Sequence, residues 1–295
     1  MERPSAHVRA VLQALFVTFL WSTSWVLVKI GLEGIPALVF AGLRYVLAFF
    51  CLLLFAVRSG QLAGGGSLSP RVWGRLSVLG VLFYSVTQGA VYVGLTYLPA
   101  MTTSLLLSFT PIVVALLGLV LLKERPTTMQ WCGMSLYLVG VALYFTPIAM
   151  PRREIIGLVV VSVAVLANAL SSILGRYVNR DGELDPMTVT VVSMGSGGIL
   201  LFLGGLIAHG FPRLTLMQWA IILWLAVVNS ALAFTLWNAT LRILSATESS
   251  IINNTMLFQI AVLAWVFLGE RPSGRALLGM LVAAAGTVAV QVRRR

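Results

Sequence analysis

The sequence predicts an all-α membrane protein, ten transmembrane helices arranged as two inverted five-helix repeats. Three observations lead there. First, the 295-residue chain is 59% hydrophobic and only 10% charged, against about 25% charged in a soluble domain. That leaves too little polar surface to cover a water-facing globule. Second, continuous apolar runs of about 20 residues recur along the whole length; they do not alternate as barrel strands would. Third, Leu268-Gly269-Glu270-Arg271-Pro272 echoes Leu122-Lys123-Glu124-Arg125-Pro126 at an offset of 146 (from 124 to 270). The same offset carries Leu95, Leu98, Ala100 and Ser104 onto Leu241, Leu244, Ala246 and Ser250. It also carries Gly133, Met134 and Gly140 onto Gly279, Met280 and Gly286. Residues 1–147 and 148–295 therefore read as two copies of one five-helix unit within a single transmembrane domain.

The spans are expected near residues 10–30, 36–57, 75–97, 100–122, 129–147, 155–176, 187–208, 218–239, 246–268 and 275–292. At about 1.5 Å per residue each matches about 30 Å of hydrocarbon. Span 1 follows a short basic lead (Arg3, Arg9) but is long and has many successors, so it reads as a retained helix and not a cleaved signal. Gly34, Ile35 and Pro36 turn the chain into span 2, which closes at Arg58. A Gly- and Ser-rich stretch from Gly60 to Pro70 leads to span 3. Tyr97-Leu98-Pro99-Ala100 is a tight, uncharged link into span 4. Pro147 to Glu154 is the hinge between the copies, and Arg176 to Pro186 is the polar loop of the second.

Lys and Arg are in excess at the N-terminus, in the 2–3, 4–5, 6–7 and 8–9 links, and at the C-terminus. The positive-inside rule then puts both termini in the cytoplasm of a cell whose inner (plasma) membrane holds the protein. The net charge of +11 belongs to this loop asymmetry and not to nucleic-acid binding. An odd number of helices per copy makes the second copy enter from the opposite side. Such inverted repeats are typical of secondary transporters, with the substrate near the midplane. Cys51 and Cys132 lie within apolar runs, so no disulfide, metal site or cofactor is expected.

At this point the chain resembles the ten-helix EamA-type permeases of the drug/metabolite transporter superfamily. The resemblance rests on Trp21-Ser22-Thr23-Ser24 in span 1, Pro36 and Arg44 around span 2, Pro111 within span 4, and the Glu-Arg-Pro closers of spans 4 and 9. It covers nearly the whole chain. It implies movement of small metabolites, often export of amino acids, through a central cavity lined chiefly by spans 1, 3, 4, 6, 8 and 9. One departure is visible: the offset sets Leu257 where the first copy has Pro111, so span 9 lacks the proline kink of span 4.

Amide and aromatic side chains inside spans are costly without partners and face the bundle or a wet cavity. The expected cavity residues are Trp21 of span 1, Tyr84, Gln88 and Tyr92 on one face of span 3, Asn168 of span 6, Asn229 of span 8, and Asn253 and Gln259 of span 9. For each, plain interhelical hydrogen bonding is the competing reading. Arg44 is either a counter-ion for a substrate carboxylate or the partner of Glu33 or of backbone carbonyls. Lys29 reads as a snorkelling cation. Glu124 and Glu270 read as acids with a gating or fold-stabilising role, or as solvated turns beside Arg125 and Arg271. Glu248 is the single acid within a span and so the candidate for proton coupling. Its competing reading is a capping box with Ser245 at N-cap, aided by Arg242.

These features favour a non-ATP-driven secondary transporter that exports small amphipathic metabolites, such as aromatic or apolar amino acids, through a central cavity between the inverted repeats by alternating access. The alternatives are an importer or exporter of another small metabolite or a cationic drug, a lipid flippase, or a membrane scaffold. An enzyme is disfavoured: His7 and His209 are not mid-span, Asp181 and Asp185 share one loop, and no zinc-protease or phosphate-binding motif is present. The expected partners are the bilayer and a small-molecule substrate, with the chain read as a monomer.

Overall fold

The computed structural model describes residues 4–60, 69–121, 127–146, 151–179, 184–240, 243–244 and 246–291. All ten expected spans are helical within them. Spans 1 and 2 are α1 (Pro4–Gly31) and α2 (Ala37–Arg58). Span 3 is composite: α3 (Pro70–Gly80), a π-helix (Val81–Thr87) and α4 (Gln88–Tyr97). Span 4 is broken into α5 (Ala100–Leu107) and α6 (Thr110–Leu121), and span 5 is α7 (Thr128–Phe145). Spans 6 and 7 are α8 (Arg152–Asn179) and α9 (Pro186–His209). Span 8 is again composite: α10 (Leu216–Ala226), a π-helix (Val227–Leu232) and α11 (Ala233–Thr240). Spans 9 and 10 are α12 (Ala246–Leu268) and α13 (Gly274–Gln291).

Among the described residues, eight helices are long and apolar enough to cross a membrane, and α13 is a shorter apolar helix. Outward faces are apolar at helical spacing: Phe50, Leu54 and Val57 on α2, Leu200, Leu203 and Ile207 on α9, Val262, Trp265 and Val266 on α12. In water such faces would be a liability; in lipid they are the solvent-facing side.

Local chemistry sets the helix ends. Thr127 with Gln130 and Thr215 with Gln218 form capping boxes at α7 and α10, each satisfying two otherwise orphaned donors. Ser69 caps α3, with Pro70 at its first position. Gly210 (φ 68°) and Gly269 (φ 67°) end α9 and α12 in the left-handed region, which costs glycine no side-chain clash. The expected asymmetry of spans 4 and 9 is present. Span 4 is interrupted at Ser108 and Phe109, just before Pro111, whereas α12 runs unbroken through Leu257.

The π-helices are a feature that hydrophobic periodicity did not foresee. They begin at Val81 and Val227, positions separated by the repeat offset, so each copy carries the same bulge. A π-turn widens the helix and frees a carbonyl. In the first, Thr87 Oγ1 donates to the Leu82 carbonyl (2.8 Å), so the side chain supplies the missing donor.

The chain folds as two compact units, and each draws on both sequence copies. The first comprises Met1–Leu27, Tyr97–Leu158 and Leu232–Arg295; the second comprises Val28–Thr96 and Val159–Ala231. In the first unit α7 packs along α13 through small residues. A Cβ built on Gly133 would lie 2.7 Å from Val290 N and 2.8 Å from Gly286 O. One on Gly286 would lie 2.7 Å from Gly133 O. Backbone contact at that range needs glycine on both sides. In the second unit α2 packs on α9, and α3 crosses it. Gly205 abuts the Val39 backbone, Gly198 the Tyr45 backbone, and Gly80 meets Gly197.

Gly286→Val is expected to cost about 1–3 kcal/mol through forced separation of α7 and α13, read as a lowered Tm in detergent. Gly204→Ala has open space around it and is expected to leave Tm unchanged or slightly raised. Equal effects of the two substitutions would refute the close-packing account.

Candidate functional site

In the second unit, α2 delivers Arg44 and Tyr45 into the apolar interior. Arg44 lies about 10 Å along the helix from Ala37, and its side chain is only 6% exposed. Its Nε donates to Ser230 Oγ (3.1 Å) and its Nη1 to Tyr92 Oη (3.1 Å). The guanidinium carbon stands 5.3 Å from the centroid of the Tyr45 ring. Among the described residues neither Glu33 nor a backbone carbonyl is its partner, so both expected structural explanations for Arg44 are corrected. Tyr45 in turn packs edge-on against Tyr84 of the first π-helix (5.1 Å between centroids), and Tyr92 packs edge-on against Phe40 (5.3 Å, 88°).

Tyr84 in the first π-helix and Tyr92 on α4 are buried at 4% and 2% exposure, and Gln88 between them is half-buried. Asn229 is fully buried in the second π-helix, next to Ser230. Asn168 lies half-buried on α8, where its carbonyl accepts from the hydroxyls of Ser171 and Ser172 (both 2.8 Å). Ser85 Oγ donates to the Gly197 carbonyl (2.7 Å) and ties the first π-helix to α9 beside the Gly80–Gly197 crossing. Lys29, half-buried near the end of α1, donates its ammonium to the Leu95 carbonyl (2.5 Å) near the end of α4.

In the first unit, Trp21 packs its ring against Phe234 (5.4 Å) and Trp237 (5.2 Å). One turn away, Gln259 binds α1 to α12. Its Oε1 accepts from Ser22 Oγ (2.9 Å), and its Nε2 donates to Thr255 Oγ1 (3.1 Å) and Thr18 Oγ1 (3.3 Å). Gln13, which sequence reasoning passed over, donates to the Leu236 carbonyl (2.9 Å). Asn253 is exposed on α12. Glu248 is in the first turn of α12 and pairs with His7 (3.1 Å), its side chain 40% exposed. Ser245 and Arg242, its expected capping partners, lie outside the described residues.

Glu270 does more than solvate a turn. Its two carboxylate oxygens accept from the backbone N–H groups of Ala100 (2.7 Å) and Met101 (3.0 Å). A carboxylate on those orphan donors at the N-terminus of α5 also meets the positive end of the helix dipole. Gly269 in the left-handed region and a bond from Glu270 N to the Ala264 carbonyl (3.2 Å) hold the acid in place. Glu124, Arg125 and Pro126, the first copy of this motif, lie outside the described residues.

The fold and these helix-bound polar clusters define a multi-span helical membrane protein built from a duplicated half. The EamA-like transporter family matches it twice, over residues 8–146 and 155–291, and the chain belongs to that family. It is 26% identical over 292 residues to the "Probable terminal-alkyne amino-acid exporter" of Streptantibioticus cattleyicolor, covering 97% of this chain and 94% of that one. It is 25% identical to Protein PecM of Dickeya dadantii over 282 residues (94% and 91%), and 24% identical to the uncharacterized transporter YdfC of Bacillus subtilis over 268 residues (90% and 86%). A crystal structure shares the fold at a TM-score of 0.68 and 15% identity, covering 95% of both chains.

Glu270→Ala is expected to lower the stability of the protein by about 1–2 kcal/mol, since two charge-assisted cap bonds are lost. Glu270→Gln, whose amide oxygen still accepts, should recover part of that loss. Thermal unfolding of the three proteins checks it; an unchanged Tm in Glu270→Ala would contradict the cap.

Proposed function

We propose that this chain is a secondary transporter that exports small amphipathic metabolites, aromatic or apolar amino acids foremost, by alternating access and without ATP. The observation that carries the reading is the pair of repeat-related π-helices. They hold Tyr84 and Asn229, with Gln88 and Tyr92 following directly. Breaks in helix regularity at matching positions of two inverted copies are where such transporters build their sites. Aromatic rings and a buried cation suit a ligand with an apolar body and a polar end. The name of the Streptantibioticus relative points to the same class of cargo. The proposal places the protein in the inner membrane with both termini in the cytoplasm.

Coupling to protons is not part of this reading. A coupling acid must be held where its proton affinity changes with conformation. Glu248, the candidate from sequence, is half-exposed beside His7, so its carboxylate keeps access to water. Transport then runs down the substrate's own gradient or by exchange.

Proteoliposomes loaded with radiolabelled phenylalanine, leucine or tryptophan are expected to release them faster than empty-protein controls, without a pH difference. Glu248→Gln should retain that rate within about twofold, the span of an ordinary surface substitution. Release of none of the panel would overturn the cargo assignment. Loss of a proton-driven component in Glu248→Gln alone would overturn the uncoupled mechanism.

A further inference from the structure

Arg44 sits at an unusual place in the duplication. Position 84 of the first π-helix and position 230 of the second are equivalent under the offset of 146. The α2 pair reaches both: Arg44 bonds Ser230, and Tyr45 packs on Tyr84. One short segment of α2 therefore touches matching points of the two copies. That locates Arg44 where the copies meet, which is also where inverted-repeat transporters bind their cargo. The offset gives Arg44 no counterpart cation, since position 190 is Thr190.

The hydrogen-bond inventory around Arg44 is unbalanced. A guanidinium has five N–H donors and no acceptor. Two are used, on Ser230 and Tyr92; Nη2 meets no acceptor among the described residues. Both hydroxyls spend an oxygen lone pair on Arg44. Their own O–H groups likewise meet no acceptor among the described residues. A buried cation facing only neutral groups is expensive. The cluster holds one buried positive charge bonded only to two neutral hydroxyls, with the aromatic rings of Tyr45, Tyr84 and Phe40 packed around it.

We infer that this cluster is the recognition site for the carboxylate of the cargo: Arg44 Nη2 and the hydroxyls of Tyr92 and Ser230 donate to its oxygens. The inference rests on the transporter reading above and narrows its cargo class to carboxylates with an apolar or aromatic body. The tyrosine and phenylalanine rings line the side on which such a body would lie. The cluster is closed in this conformation, so the helices that carry it part to admit ligand, as alternating access requires.

The test uses wild-type protein in nanodiscs and four matched probes: phenylacetate, L-phenylalanine, phenethylamine and phenylacetamide. The two carboxylates are expected to raise Tm by about 2 °C at about ten times their Kd; the amine and the amide are not. Tyr92→Phe keeps the ring and removes one donor, so carboxylate affinity should fall about tenfold. Arg44→Gln should abolish the response, and if that variant does not fold, the probe series and Tyr92→Phe still decide. No shift with the carboxylates, an equal shift with phenethylamine or phenylacetamide, or an unchanged affinity in Tyr92→Phe would overturn the site. The two readings fail separately. Carboxylate binding without release from proteoliposomes removes transport of these amino acids but leaves the site, and release of phenylalanine with no carboxylate preference does the reverse.

Discussion

Lipid offers no hydrogen bonds, so every donor and charge inside the bilayer must find its partner within the protein. Most of this structure follows from that single demand. Threonine and serine hydroxyls turn back on carbonyls one turn away, as Ser22 does on Thr18 and Thr87 on Leu82. Capping boxes close α7 and α10, and Glu270 reaches across 170 positions of sequence to close α5. Against these closed pairs the Arg44 cluster stands apart: its buried cation meets only neutral hydroxyls, those of Ser230 and Tyr92. That surplus of charge is what the proposed carboxylate would neutralise.

Packing places the surplus where it is. Without a hydrophobic drive between helices, association depends on close backbone approach. In the second unit glycines of α9 supply it, at Gly198 against Tyr45 and at Gly205 against Val39. The Gly80–Gly197 crossing lies immediately before the first π-helix, and Ser85 fastens that π-helix to the same α9 carbonyl segment. The contact that draws α3 and α2 onto α9 thus also aims Tyr84 at Tyr45 and holds Arg44 against the second π-helix. In the first unit the equivalent task falls to the glycine seam of α7 and α13.

What sequence can reveal here divides by range. Hydropathy found all ten spans, since each run of apolar residues announces itself. The offset found the duplication, and Pro111 against Leu257 foretold that span 4 breaks and α12 does not. The π-helices were hidden because one extra residue in a turn leaves an apolar run as apolar as before. For Glu270 the sequence left a fold-stabilising role and a solvated turn both open, because its partners, Ala100 and Met101, offer backbone groups that no side-chain pattern reports. Arg44 was singled out from its depth in span 2, yet its partners Tyr92 and Ser230 come from other spans. The offset that pairs Tyr84 with Ser230 was the one signal that could have brought them together.

The central claim is that the two π-helices and Arg44 form a carboxylate site shared by the repeats. An experimental structure of the protein with L-phenylalanine bound tests it most directly. The account predicts ligand density with the carboxylate within hydrogen-bond distance of Arg44, Tyr92 and Ser230. Density that is clear, ordered and remote from Arg44 would contradict it.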